Sequence, residues 1–159
     1  MKKILAAIAF LLSSSVPALA DDQQQLVGVW KLQSYEVEFQ DTDERQMPFG
    51  SDPNGFIIFT QEGRMMALLN AKDRKAPQTE SDQAAAFRNM FAYSGLYRVE
   101  GNRWITKVDT AWNESWIGTD QIRFYKLDGD TLTVTSNWRP YPLFNGRVAR
   151  GLLTWTRVR

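Results

Sequence analysis

The chain has 159 residues, a formal net charge of +1 at neutral pH, and neither cysteine nor histidine. This length predicts a single domain, and the near-zero charge argues against the basic surface that nucleic-acid binding requires. The two missing residue types exclude disulfides, Ser–His and Cys–His catalysis, and the ligands that zinc and copper sites favour. We therefore expect no metal site, no cofactor and no nucleic-acid partner.

The N-terminus has the pattern of a secretory signal peptide. Lys2 and Lys3 precede an apolar run over residues 4–12, and the small-x-small sequence ending at Ala20 matches a cleavage site. The run is about half the roughly 20 apolar residues that a membrane span needs. We predict cleavage after Ala20, a mature domain of residues 21–159 without a membrane-spanning segment, and a periplasmic or secreted location.

The first predicted strand covers residues 26–39 and is unusually long, which suits the curved wall of a barrel. Side chains alternate between the two faces of a strand, so the even positions should share one face. That face would carry Trp30 and Leu32, and then Ser34, Glu36 and Glu38. The alternation therefore predicts that the polar part of this face points into the barrel.

Seven further strands are predicted from alternation and from turn residues. They cover about 56–60, 64–70, 94–100, 103–112, 121–127, 131–137 and 150–158. One helix is predicted over residues 81–92, with a Ser or Asp N-cap and with Phe87, Met90 and Phe91 on one face. The expected fold is all-β: an eight-stranded antiparallel barrel with one short helix between strands three and four.

Several segments resemble the bacterial and fungal lipocalin-like domain family. Gly28-x-Trp30 at the head of the first strand is similar to the lipocalin signature, and the resemblance implies that Arg157 packs across that tryptophan at the closed end of the barrel. Further similar segments span nearly the whole mature chain: 35–37, 52–60, 62–65, 92–97, 116–123 and 153–155. The resemblance implies the fold and leaves the activity open, because one barrel hosts many functions.

Arg123 is the most informative candidate site residue. If Leu127 and Leu132 face each other across the Asp128–Asp130 turn and lie in the core, then Gln121, Arg123 and Tyr125 also point inward. Three interpretations stay open: Arg123 binds an acidic ligand group, it forms an internal ion pair with Glu36 or Glu38, or a one-residue register error turns it outward. The candidate ligand-binding residues are Ser34, Glu36, Tyr97, Trp112, Gln121, Arg123 and Tyr125, whereas the arginines at 139, 147, 150 and 159 are expected on a solvated rim.

We expect a binding protein rather than an enzyme, whose partner is a small hydrophobic or amphipathic molecule bound in the barrel interior; an acidic group on it is expected only under the first interpretation of Arg123. A carrier of a drug-sized ligand needs an internal cavity of about 300 Å³ or more. Two alternatives remain. One is a barrel isomerase or cyclase that uses Glu36 or Glu38 as acid or base, and the other is a ligand-free envelope protein whose barrel is filled by side chains.

Overall fold

The computed structural model describes residues 19–141 and 144–159, with side chains from Gln23 onward. Most of the predicted signal peptide lies outside the described residues. The elements are α1 (Leu19–Leu26), β1 (Gly28–Phe39), β2 (Arg45–Gln46), β3 (Asn54–Phe59), β4 (Arg64–Asn70), α2 (Glu80–Arg88), β5 (Met90–Glu100), β6 (Arg103–Ala111), a 3₁₀ turn (Glu114–Trp116), β7 (Asp120–Asp128), β8 (Thr131–Ser136), β9 (Arg139–Pro140) and β10 (Val148–Arg157). None of the described helices is long and apolar enough to cross a membrane.

In this part of the chain, eight long strands form a closed antiparallel barrel, which confirms the predicted fold. The order is β1-β3-β4-β5-β6-β7-β8-β10, and the pairing of β1 with β10 closes it. The short strands β2 and β9 extend the sheet at β1 and β10. Closure leaves the long strands without exposed edges, so burial of side chains inside the barrel holds the fold together.

A β-bulge in β1 changes which side chains face inward. Trp30 and Leu32 are buried, as alternation predicts, but the pairing with β10 shifts between Leu32 and Ser34 because one extra residue is inserted. Beyond this point the odd-numbered residues Tyr35, Val37 and Phe39 form the inner face. The prediction that the even-numbered residues face inward along the whole strand is therefore wrong after Leu32.

The closed end of the barrel has the arrangement that the Gly-x-Trp resemblance implied. The Arg157 guanidinium lies 4.0 Å from the centroid of the Trp30 ring. It donates hydrogen bonds to the carbonyls of Val27 (2.8 Å) and Gln25 (2.6 Å), and Trp30 Nε1 donates to the Leu26 carbonyl. These contacts fasten α1 across this end, so access to the interior is from the opposite end.

The helix α2 is shorter than predicted and begins at a different cap. Thr79 is the N-cap, and its side chain and that of Asp82 form a capping box, in place of the expected Ser or Asp cap. The helix ends at Arg88, because the chain from Met90 onward pairs with β4. Phe91 thus belongs to β5 and not to the helix, and it lies at the open end of the barrel beside Trp112 and Trp116.

Candidate functional site

The barrel contains a small, mainly apolar cavity of about 50 Å³ with a few polar side chains in its wall. Its walls include the buried side chains of Tyr35, Arg123 and Ser136, the indoles of Trp104 and Trp155, and apolar residues of β3, β4 and β10. This enclosed volume is far below the 300 Å³ needed for a drug-sized ligand. Side chains therefore fill most of the barrel, and the cavity has room for only a few non-hydrogen atoms.

A second, mainly aromatic pocket of about 190 Å³ adjoins the cavity at the open end. Phe87, Trp112 and Pro140 line this pocket, and it shares Phe91, Trp116, Arg139 and Tyr141 with the inner cavity. The rings of Trp112 and Trp116 pack edge to face with centroids 4.9 Å apart. We call this space the mouth pocket. The candidate ligand-binding residue Trp112 lies in its wall, and the four shared residues separate the pocket from the inner cavity.

A larger open groove of about 740 Å³ runs along α2 outside the barrel. Residues 48–52 and 71–76 form much of its wall, together with the helix. Lys72 in this groove is paired with Asp52, and Arg74 donates to the Ala86 carbonyl. The groove is open to solvent and has several charged side chains in its wall, so it does not enclose a small apolar molecule.

Arg123 and Arg139 bring two guanidinium groups to the boundary between the cavity and the mouth pocket. Arg123 is only 8% exposed and donates to the Ile122 carbonyl (2.8 Å) and to Gln121 Oε1 (3.2 Å). Arg139 donates to the same Gln121 oxygen, also at 3.2 Å. No carboxylate pairs with either arginine among the residues whose side chains are described. A neutral amide oxygen is thus shared by two positive charges.

Aromatic rings surround these guanidinium groups. The Arg139 guanidinium carbon lies 4.8 Å from the ring centroid of Trp116 and 5.5 Å from that of Tyr141, and Arg123 lies 5.8 Å from the rings of both Tyr93 and Trp116. Burial, followed by repulsion from Arg123, lowers the pKa of Arg139. The arrangement therefore costs free energy in the unliganded protein.

Two tyrosine hydroxyls meet at the same boundary. The oxygens of Tyr35 and Tyr141 lie 2.7 Å apart and share a hydrogen bond. Burial is the largest cause that raises the pKa of Tyr35 well above its usual value, with the neighbouring Tyr141 adding to it. Tyr35 therefore remains a neutral hydroxyl near neutral pH, and the site contains several hydrogen-bond donors and no described carboxylate.

The structure separates the predicted acidic residues from this site. Glu36 and Glu38 lie on the outer face of β1 because of the bulge, and Ser34 lies at the bulge itself. Glu38 is bound by Arg45 (2.9 Å) and Arg150 (2.5 Å), and the hydrogen bond from Arg45 is the largest cause that lowers its pKa. The ion pair with Glu36 or Glu38, one of the three interpretations of Arg123, is therefore not formed, and the carboxylates on which the enzymatic alternative depends lie outside the barrel.

Two predicted tyrosines lie away from the Arg123 guanidinium. Tyr97 packs on Phe59 with ring centroids 5.0 Å apart, and Tyr125 packs on Trp104 and borders a separate surface pocket beside Gln25. Both belong to the half of the barrel nearer α1. Gln121 does lie beside Arg123, and the pairing of Leu127 with Leu132 confirms the register from which the inward position of Arg123 was predicted.

The profile of the family described as lipocalin-like domain matches residues 27–158. This chain belongs to that family. It is 32% identical over 89 residues to the Aspergillus oryzae (strain ATCC 42149 / RIB 40) protein named 4'-hydroxy-3'-methoxypropiophenone carrier protein ppsC. The aligned region covers 50% of this chain and 78% of the relative. A crystal structure of an uncharacterized protein from Bacteroides eggerthii DSM 20697 is 14% identical, with a TM-score of 0.42, covering 84% of this chain and 99% of that one.

Three residues of the site in this lipocalin-like protein were not among the predicted ligand-binding residues. Tyr35 was placed on the outer face because nothing in the sequence marks the bulge. The sequence predicts Arg139 on a solvated rim, and Tyr141 is not among the candidate residues. The available signal was the alternation Trp138-Arg139-Pro140-Tyr141, in which Arg139 and Tyr141 share a face that β9 turns toward the barrel mouth.

Proposed function

We propose that this lipocalin-like protein binds and carries a small, largely aromatic molecule through an acidic oxygen group. The apolar part of the ligand lies in the mouth pocket, and the acidic group lies between Arg123 and Arg139 at the entrance to the inner cavity. The observation that carries this proposal is the pair of guanidinium groups that have no carboxylate partner among the described residues.

The energetics of the arginine pair support an anionic ligand group. Burying an unpaired charge costs several kcal/mol, and two like charges that share one amide oxygen add to this cost. The glutamates that could neutralise them are paired on the outer surface with Arg45 and Arg150. An arrangement that destabilises the empty protein is typical of a functional site, where a ligand supplies the missing interaction.

The size and lining of the inner cavity and the mouth pocket limit the size and shape of the apolar part of the ligand. The mouth pocket of about 190 Å³ is walled by Phe87, Phe91, Trp112 and Trp116. Aromatic rings of this kind stabilise a flat apolar group through offset and edge-to-face contacts. A single ring with a short side chain matches this space, whereas a long-chain lipid or a fused polycyclic molecule exceeds it.

A carrier function agrees with the relative and with the position of the carboxylates. The relative from Aspergillus oryzae is named as the carrier of a single-ring aromatic ketone. The enzymatic alternative required Glu36 or Glu38 to act on a molecule inside the barrel, and both side chains lie outside it. Binding without chemical conversion is therefore the better-supported activity.

The proposal includes export of the protein. The basic residues, apolar run and Ala20 site at the N-terminus support cleavage and transport to the periplasm or the medium. Cell fractionation followed by intact-mass measurement tests this: we expect a mature N-terminus at Asp21 in an extracytoplasmic fraction. A full-length protein found only in the cytoplasm would refute export and would leave the binding proposal unaffected.

Native mass spectrometry of the protein purified from the organism that encodes it tests the binding function. We expect a bound small acid that dissociates on unfolding, and isothermal titration calorimetry with single-ring aromatic acids should give saturable binding. The variant Arg123→Met should lose acidic ligands more than neutral ones of the same shape. An empty barrel that binds none of these compounds would instead support the ligand-free structural alternative.

A further inference from the structure

The inner cavity contains hydrogen-bond donors whose partners are absent from the fold. The indole nitrogens of Trp104 and Trp155 are fully buried and have no hydrogen-bond partner among the described residues. Both tryptophans line the inner cavity and are at most 2% exposed. A buried N–H group without an acceptor loses the hydrogen bond that it makes to water in the unfolded chain, so two such groups at one cavity indicate a missing acceptor.

Trp30 provides an internal comparison for these two residues. Its side chain is also fully buried, but its Nε1 donates to the Leu26 carbonyl at 2.9 Å, and it does not line the cavity. The fold can therefore supply an acceptor to a buried tryptophan where the contact is structural. It supplies none at Trp104 and Trp155, where the indoles border free space.

Ring contacts place the Trp104 indole, and strand register places Trp155, deeper in the barrel than the Arg123 guanidinium. Trp104 is the direct cross-strand neighbour of Arg123 and packs on Phe59 and Tyr125, toward the closed end. The Arg123 guanidinium instead extends toward Trp116 at the mouth. Trp155 on β10 pairs with Leu132 on β8. The cavity thus has a guanidinium at its outer side and indoles deeper in its wall.

From this placement we infer that the inner cavity is a carboxylate subsite, and that Trp104 and Trp155 determine the class of ligand. This inference rests on the proposed binding function. A carboxylate has three non-hydrogen atoms and two oxygens that together accept about four hydrogen bonds. One oxygen accepts from the Arg123 and Arg139 guanidinium groups, and the other accepts from the indole N–H groups, whose rings turn to meet it because neither buried nitrogen is open to the cavity in this structure. The ligand is therefore an aromatic carboxylic acid, whose ring occupies the mouth pocket.

Other acidic groups fit this cavity less well. A phenolate presents one oxygen directly on a ring, and the ring would have to enter a space of about 50 Å³ to reach the indoles. A sulfonate or phosphonate has a bulkier tetrahedral head. Charge-assisted hydrogen bonds are roughly twice as strong as neutral ones, so the two indoles should favour a carboxylate over an uncharged group of the same shape.

A matched series of probes tests the inference by calorimetry: 3-phenylpropionate, 3-phenylpropanamide, 3-phenylpropanol and 4-propylphenol. We expect 3-phenylpropionate to bind at least about tenfold more tightly than the other three. In Trp104→Phe and Trp155→Phe this preference should fall by about five- to tenfold each. Trp30→Phe is the control, because it removes an indole of a buried residue outside the cavity and should retain the preference.

A measurement on the unaltered protein covers the case in which a variant does not fold. In protein labelled with ¹⁵N-tryptophan, the Trp104 and Trp155 indole N–H signals should move downfield on titration with 3-phenylpropionate, whereas the Trp30 signal stays in place. If all four probes bind equally and no indole signal moves, trapped water satisfies these donors and the carboxylate subsite is refuted. If none of the probes binds, the proposed function itself is refuted.

Discussion

Replacing Arg139 with methionine should stabilise the empty protein and weaken its binding of acids. Methionine keeps an unbranched apolar stem that packs against Trp116 and Tyr141, and it removes the positive charge. The stacking contacts that are lost are worth about 0.5–1 kcal/mol each in a partly exposed setting. The desolvation of a guanidinium beside a second one costs several kcal/mol, so the loss of charge outweighs the loss of stacking.

The net effect expected on the free energy of unfolding is a gain of about 0.5–2 kcal/mol, the usual range for stabilising substitutions at functional sites. For a domain of this size, a gain of that magnitude raises Tm by about 2–8 °C. Burial, followed by repulsion from Arg123, lowers the pKa of Arg139, so folding disfavours the charged guanidinium, and methionine removes this unfavourable interaction. Binding of 3-phenylpropionate should weaken by about 10- to 100-fold, since a charge-assisted hydrogen bond is worth about 1.5–3 kcal/mol.

Differential scanning calorimetry measures the change in Tm, and isothermal titration calorimetry measures the change in affinity for 3-phenylpropionate, on the same samples. Arg98→Met is the matched control, because Arg98 forms a largely exposed ion pair with Glu100 on the outer face of β5. This control should change Tm by less than about 2 °C and leave binding unchanged. If Arg139→Met lowers Tm and binds the acid as tightly as the parent protein, the arginine is structural and the reasoning about an anion site fails.

Three further predictions concern the fold around the site. Glu38→Gln should lower the free energy of unfolding by about 1–3 kcal/mol in urea titrations, whereas Glu36→Gln should change it by less than about 0.5 kcal/mol, because only Glu38 is buried between two arginines. Folding lowers the pKa of Glu38, so the stabilisation from its carboxylate is complete above pH 4.5 and is lost as the pH falls through the folded-state pKa. An unchanged difference in the free energy of unfolding between Glu38→Gln and the parent protein on acidification would contradict this. Arg157→Met should destabilise by about 2–4 kcal/mol, since two carbonyls and the Trp30 ring lose their partner, and native Tm would count against that role. The pairing of β5 with β6 has a second β-bulge between Ser94 and Gly95. Gly95→Ala should reduce soluble expression, because a Cβ would lie 2.0 Å from the Lys107 carbonyl oxygen on β6; a normally folded variant would show that this bulge relaxes easily.

The local alternation of side chains and the turn residues in the sequence were sufficient to predict most strands of the barrel. The strand ends of β4, from Arg64 to Asn70, match the predicted range, and the other long strands differ by a few residues. The inward position of Arg123 followed from the single assumption that Leu127 and Leu132 face each other across a tight turn, and the structure has that pairing. Short-range hairpin geometry is encoded in the turn residues, so register there can be inferred from sequence.

Long-range packing decided the features that were mispredicted. Phe87, Met90 and Phe91 have helical spacing, yet pairing with β4 extends β5 back to Met90 and ends the helix at Arg88. Tertiary context overrides local propensity in such segments. Arg139 reaches the mouth pocket only because β9 pairs with β10. A sequence pattern over a few residues contains no information about either pairing.

The bulge after Leu32 determines the charge of the barrel interior. With uninterrupted alternation, Glu36 and Glu38 would face Arg123, and the interior would contain compensating charges. The inserted residue instead turns both carboxylates outward to Arg45 and Arg150 and turns Tyr35 inward. A chain with a net charge of only +1 thereby acquires an interior with two guanidinium groups and no described carboxylate. The preference for an anion thus arises from backbone register rather than from composition, and it would be lost in a relative that lacked the bulge even if every site residue were retained.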